Sequence, residues 1–178
     1  MKPMTAPVFV DANVFLYARD EREPVKQPRA RAWLDHLWRE GLGRTSLQVL
    51  SEYYVNLRRK DFSGLGPEEA WEAVARYLAW RPQAVDEDVF TRAREIEQRY
   101  RLSWWDSMVV AAAQLKECRV LLTEDLQDGM SLGTVRVRNP FLHAVEEPLA
   151  EYVVTVPARI MHRPRGRPRR TPATAHSR

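Results

Sequence analysis

Two short, unbroken apolar runs most constrain the fold: the strand-like cores of "APVFVDA" (6–12) and "RVLLTED" (119–125). Each is too short for a helix and lacks the alternation of a strand with one wet face. Each therefore reads as a strand covered on both sides, the second as a central parallel strand. Between them lie long stretches whose apolar residues recur at helical spacing. Strands alternating with such helices give βα units, so we expect four or five parallel strands with helices on both faces.

The helical stretches can be located individually. In "PRARAWLDHLWREG" (28–41), Ala30, Trp33, Leu34 and Leu37 share one face, and Gly41 supplies a stop. "TSLQVLSEYYVNLRRK" (45–60) has capping-box spacing at Thr45 and Gln48 and a stripe of Leu47, Leu50, Tyr54 and Leu57. "GPEEAWEAVARYLAW" (66–80) places Pro67 in a first helical turn. "DEDVFTRAREIEQRY" (86–100) aligns Val89, Ala93, Ile96 and Tyr100. "SWWDSMVVAAAQLKE" (103–117) is the most apolar helix, and "TVRVRNPF" (134–141) alternates like an outer strand. "LAEYVVTV" (149–156) suits one more strand or helix. We expect one domain over 1–142 and an extension over 143–178, disordered from about residue 157, where apolar residues are too few to offset ordering.

The net charge of +4 conceals an asymmetry. From Pro157 onward there are seven Arg and no acidic residue; without that tail, 21 basic residues face 24 acidic ones. Electrostatic arguments for nucleic-acid contact therefore apply mainly to the tail. Its "RPRGRPRR", containing Arg165 and Arg167, has the core of an AT-hook, a segment that lays Arg in a narrow minor groove. An unspecific basic tail that contacts any phosphate backbone is the plainer alternative. The single cysteine, Cys118, excludes an intramolecular disulfide and a Cys-rich zinc site. No stretch reaches a membrane span, and Lys2-Pro3 with the early Asp11 does not suit a signal peptide, so a cytoplasmic location is expected.

Acids interrupt the apolar pattern at informative places. Asp11 and Asp125 follow the two apolar strands, and ligand sites in open parallel sheets lie beyond the carboxyl ends of strands. Asp11, like Asn13, is also an ordinary turn residue. Glu52 stands at the edge of a helical stripe, where most glutamates simply face water. Asp106 has the spacing of an N3 acid behind a Ser103 cap, yet it shares the apolar face of Val109, Val110 and Ala113, where a carboxylate is costly unless paired or metal-bound. Asp128, before Gly129, reads as a turn residue or a support to the site, and Glu124 alternates away from Asp125. Converging carboxylates repel, and a hard cation such as Mg²⁺ or Mn²⁺ resolves the repulsion with oxygen ligands and water. The four histidines are scattered without ligand spacing. An all-carboxylate site of this kind points to phosphodiester hydrolysis.

Taken in order, "VFVDANVFLYA", "TSLQVLSEYYVNLRRK", "SWWDSMVVAAAQ", "LLTEDLQDG" and "NPF" resemble a PIN-domain ribonuclease of the VapC toxin type, over Pro7 to Phe141. The resemblance implies a three-layer α/β/α sandwich on a four- or five-stranded, mainly parallel sheet. It also implies a Mg²⁺- or Mn²⁺-dependent endoribonuclease in which Asp11, Glu52, Asp106 and Asp125 are catalytic and hold metal. Asn13, Ser107 and Thr123 match supporting polar positions. Such proteins are usually homodimers inhibited by a small cognate antitoxin. Ser107 stands where the family commonly has Ala, and the chain runs 37 residues past "NPF". Arg58, Arg59 and Lys60 would serve to grip flanking phosphates, or would simply complete a solvated helix end; Trp104 and Trp105 suit base stacking or packing. Two other readings stay open: a PIN-fold nuclease acting on DNA or in RNA processing, and a non-catalytic protein that binds nucleic acid through its basic tail.

Overall fold

Strand β1 (Val8–Val10) is buried at every residue, as its unbroken apolar run requires. The structure is a computed structural model that describes residues 6–145. After β1 come α1 (Ala12–Tyr17), α2 (Lys26–Glu40), β2 (Gly43–Arg44), α3 (Leu47–Leu57) and α4 (Pro67–Ala75), which runs into a 3-10 turn at Arg76–Trp80. Then follow α5 (Glu87–Tyr100), α6 (Trp104–Leu115), β3 (Val120–Leu122), β4 (Ser131–Leu132) and β5 (Val135–Arg138). The sheet order is β2-β1-β3-β5-β4, with all neighbours parallel except the β4–β5 pair. This is the expected five-stranded, mainly parallel α/β architecture.

Two local expectations need correction, and one strand was not expected at all. The strand at 135–138 is not outermost, because β4 pairs antiparallel beyond it. The two-residue β2 carries no apolar signal; its pairing with β1, Val8 opposite Gly43 and Phe9 opposite Arg44, makes it a strand. A Cβ on Gly43 would lie 2.4 Å from the Trp80 ring, so only glycine allows this close approach. Helix α3 is capped by Ser46, whose hydroxyl accepts from the Val49 N–H at 3.2 Å, one position later than the Thr45 spacing suggests. The Thr45 hydroxyl is committed elsewhere, donating to the Val10 carbonyl at 3.2 Å. The buried face of α3 is accordingly Val49, Leu50, Tyr53 and Leu57, while Leu47 is exposed.

Other helices follow their sequence signals. Helix α2 buries Ala30, Trp33, Leu34 and Leu37 and ends at left-handed Gly41. Helix α5 buries Val89, Ala93 and Ile96 behind an Asp86 cap, and α6 starts at the Ser103 cap. Residues just past the expected domain end at 142 still bond to the domain: Trp33 Nε1 donates to the His143 carbonyl at 3.3 Å, and Arg138 to that of Ala144 at 3.2 Å. The suggested element at 149–156 and the basic tail with Arg165 and Arg167 lie outside the described residues. Among the described residues, no helix is long and apolar enough to cross a membrane.

Candidate active site

Parallel pairing sets the geometry of the site. Val10 lies opposite Leu122, so the next residues, Asp11 and Thr123, leave the carboxyl edges of adjacent strands side by side. The Asp11 N–H donates to the Leu122 carbonyl at 3.1 Å and anchors this exit. The chain reaches β2 on one side of β1 and β3 on the other, making the β1/β3 edge the switch point where open α/β sheets form their crevice.

Asp11 is 7% exposed and caps α1, with Oδ1 accepting from the Ala12 N–H at 2.7 Å. Its Oδ2 accepts from the Thr123 hydroxyl at 2.8 Å. That hydroxyl in turn accepts from the Asp125 N–H at 3.1 Å and the Asn13 amide at 2.9 Å. The Asn13 amide also reaches Asp125 Oδ2 at 3.0 Å and, more weakly, Asp11 Oδ2 at 3.4 Å. One hydrogen-bonded cluster thus joins Asp11, Asn13, Thr123 and Asp125. Burial pushes the Asp11 carboxyl up to about 7; its Thr123 and Ala12 bonds oppose the rise, and the Asp125 and Glu52 charges add to it.

The remaining acids are placed differently. Glu52 acts on Asp11 through its charge and is held by the Gln48 amide, which donates to Oε1 at 3.0 Å. Their i, i+4 spacing was visible in sequence, but Gln48 was read there as part of a cap. Asp106, in the first turn of α6, accepts the Ser103 hydroxyl at 2.6 Å, and among the described residues no hydrogen bond joins it to the other acids. Ser107 is buried and donates to the Ser103 carbonyl at 2.8 Å, within its own helix. Asp128 accepts from the Asn139 N–H at 2.8 Å and lies 2.8 Å from His143 Nε2, and among the described residues no hydrogen bond joins it to the Asp11 cluster. Burial pushes its carboxyl up, but Asn139 and His143 outweigh this and hold it below its ordinary value. Among the described residues, no three acidic, histidine or cysteine side chains are already gathered as metal ligands.

Of the basic candidates, Arg59 pairs with Asp61, Arg58 lies over the Tyr54 ring, and Lys60 is exposed. Trp104 packs edge-on against Phe90 with centroids 5.5 Å apart, whereas Trp105 is 64% exposed. Sequence reasoning assigned no role to Lys26, which bonds Glu124 at 2.7 Å beside the cluster.

The donor set fits a hard divalent cation. Its carboxylates, Asp11 and Asp125, share the Asn13 amide N–H donor, and Asn13 Oδ1 is buried without a hydrogen-bond partner. Mg²⁺ commonly takes one or two carboxylates and keeps several waters, so Asp11 and Asp125 are the residues that could hold it.

The PIN domain family model matches residues 8–127, from β1 through the loop that carries Asp125. The chain belongs to the PIN-domain family. Similar solved structures include a toxin-antitoxin complex from Klebsiella pneumoniae, 19% identical, covering 75% of this chain and 97% of that chain with a TM-score of 0.53. VapC20 from Mycobacterium tuberculosis, a sarcin-ricin loop cleaving toxin, is 23% identical over 66% of this chain and 89% of its own, with a TM-score of 0.49. FitAcB from Neisseria gonorrhoeae is 21% identical over 75% and 98%, with a TM-score of 0.49. At such identity the likeness to the Klebsiella complex speaks for the fold of this PIN domain. No curated protein matches the chain.

Proposed function

We propose that this PIN domain is a divalent-metal-dependent endoribonuclease and the toxin of a VapBC-type pair, inhibited by a small cognate antitoxin and acting as a homodimer. The observation that carries the reading is the buried Asp11 carboxyl, joined to Asp125 through Asn13 and Thr123 at the β1/β3 edge. A carboxyl raised to about 7 by burial and neighbouring acids is costly to ionise, and a cation relieves that cost. Motif order and PIN-family membership support the nuclease chemistry; the likeness to a toxin-antitoxin complex suggests the pair.

Asp11 and Asp125 would hold Mg²⁺ or Mn²⁺, and Glu52 and Asp106 would complete the acidic rim. Bound there, the ion lowers the pKa of water and offsets charge that develops on phosphoryl oxygens. Thr123 orients Asp11 Oδ2 by its hydrogen bond, and Gln48 orients Glu52. Asp11 must give up its proton before its carboxylate can take a cation, so occupancy increases with pH.

The test incubates full-length protein with structured RNA and, separately, single-stranded DNA, in Mg²⁺, Mn²⁺ or EDTA. RNA cleavage that needs metal and disappears in Asp11→Asn supports the reading; equal cleavage by that variant overturns it. DNA cleavage alone would move the substrate to the rival nuclease reading. Co-expression with the product of an adjacent short reading frame checks the toxin pair, which predicts a complex that no longer cleaves RNA.

A further inference from the structure

The loop after β3 is held on two sides. Thr123 and Asp125 face the Asp11 cluster, and Glu124, between them, faces the other way. There Glu124 Oε2 accepts from Lys26 Nζ, in the first turn of α2, at 2.7 Å. The same ammonium donates to the Tyr17 hydroxyl at 3.1 Å and lies 4.2 Å from the Tyr17 ring centroid and 5.2 Å from that of Phe141. Those rings meet edge-on at 5.0 Å. The side chains of the pair are only 30% and 22% exposed. A freely exposed ion pair fixes little, because its side chains lose entropy and water screens the charge. This ammonium contacts a carboxylate, a phenol oxygen and two aromatic rings, which limits where Glu124 can go.

We infer that Lys26 is a positioning residue for the metal site: by gripping Glu124 it fixes the loop that presents the Thr123 hydroxyl and the Asp125 carboxylate. Without the ammonium, Glu124 is a half-buried carboxylate next in sequence to another acid. Repulsion and hydration then draw the loop outward and separate Asp125 from Asn13. The inference rests on the proposed nuclease site, and its first readout is metal affinity in the absence of RNA.

Mn²⁺ titrations by calorimetry on the full chain test it, comparing wild type with Lys26→Met, Lys26→Arg, Glu124→Gln and the exchange Lys26→Glu/Glu124→Lys. Loss of a partner that orients metal ligands commonly weakens binding 10- to 100-fold. Lys26→Met and Glu124→Gln are expected to raise the Mn²⁺ Kd by at least about tenfold, with Lys26→Arg and the exchange recovering part of it. Far-UV circular dichroism confirms folding, and if Lys26→Met does not fold, Glu124→Gln decides. Wild-type affinity in Glu124→Gln overturns the positioning role and leaves the nuclease reading intact. No Mn²⁺ binding by wild type itself overturns both.

Discussion

The Thr123 hydroxyl donates to the Asp11 carboxylate at 2.8 Å across 112 positions of sequence, and it accepts two further bonds while doing so. Thr123→Val keeps the shape but strands the Asp125 N–H and one Asn13 bond in a part-buried place. An unmade buried bond costs about 1–3 kcal/mol, so urea denaturation should show a loss of that order. Mn²⁺ affinity should fall alongside, because Asp11 loses a bond that favours its charged form.

Without metal, stability should decline as pH rises toward neutrality. The folded Asp11 titrates at about 7 against an ordinary 3.8. Between those values the native state binds a proton that the unfolded chain does not, so the slope of unfolding free energy with pH is negative. The favourable contribution is full below 3.8 and is lost as pH passes through about 7. The total approaches about 4 kcal/mol, from roughly 1.4 kcal/mol per pKa unit. Melts in EDTA from pH 4.5 to 8 should show this decline, and Asp11→Asn should flatten it. A wild-type profile parallel to that of Asp11→Asn would contradict the burial argument.

Asn13→Ala should separate function from stability. The Asn13 amide nitrogen donates to Thr123 and to both acids, while its Oδ1 is buried without a partner, so truncation removes those bonds and a desolvated oxygen together. The net change in stability should stay within about 1 kcal/mol. RNA cleavage should drop by about 10- to 100-fold, because the two carboxylates lose their common tether. Parallel melts and initial cleavage rates check both halves.

Gly43→Ala should destabilise the sheet edge. Its Cβ would sit 2.4 Å from Trp80, whose ring packs against Phe15, Trp38 and Tyr77. Overpacking of this kind costs about 1–3 kcal/mol. Chemical denaturation measures it, and Gly43→Ala combined with Trp80→Phe should recover part of the loss.

The sequence by itself determined the regular parts of this protein. Helical spacing located the buried faces of α2 and α5, the cap at Ser103 follows local chemistry, and unbroken apolar runs identified β1 and β3. It also placed Asp11 and Asp125 at strand exits. Only the tertiary structure decided what those residues meet. β2 is a strand because β1 pairs with it, and α3 turns Val49 and Tyr53 inward because Thr45 is committed to Val10 and Ser46 takes over the cap. Asp11 and Thr123 meet through the parallel register of β1 and β3; Asp106 stays with Ser103, and Glu124 finds Lys26 across 98 positions. Periodicity and capping are short-range effects that a sequence displays directly. Register and long-range hydrogen bonding arise only when distant segments pack, so the partners of the site's charged side chains belonged to the fold.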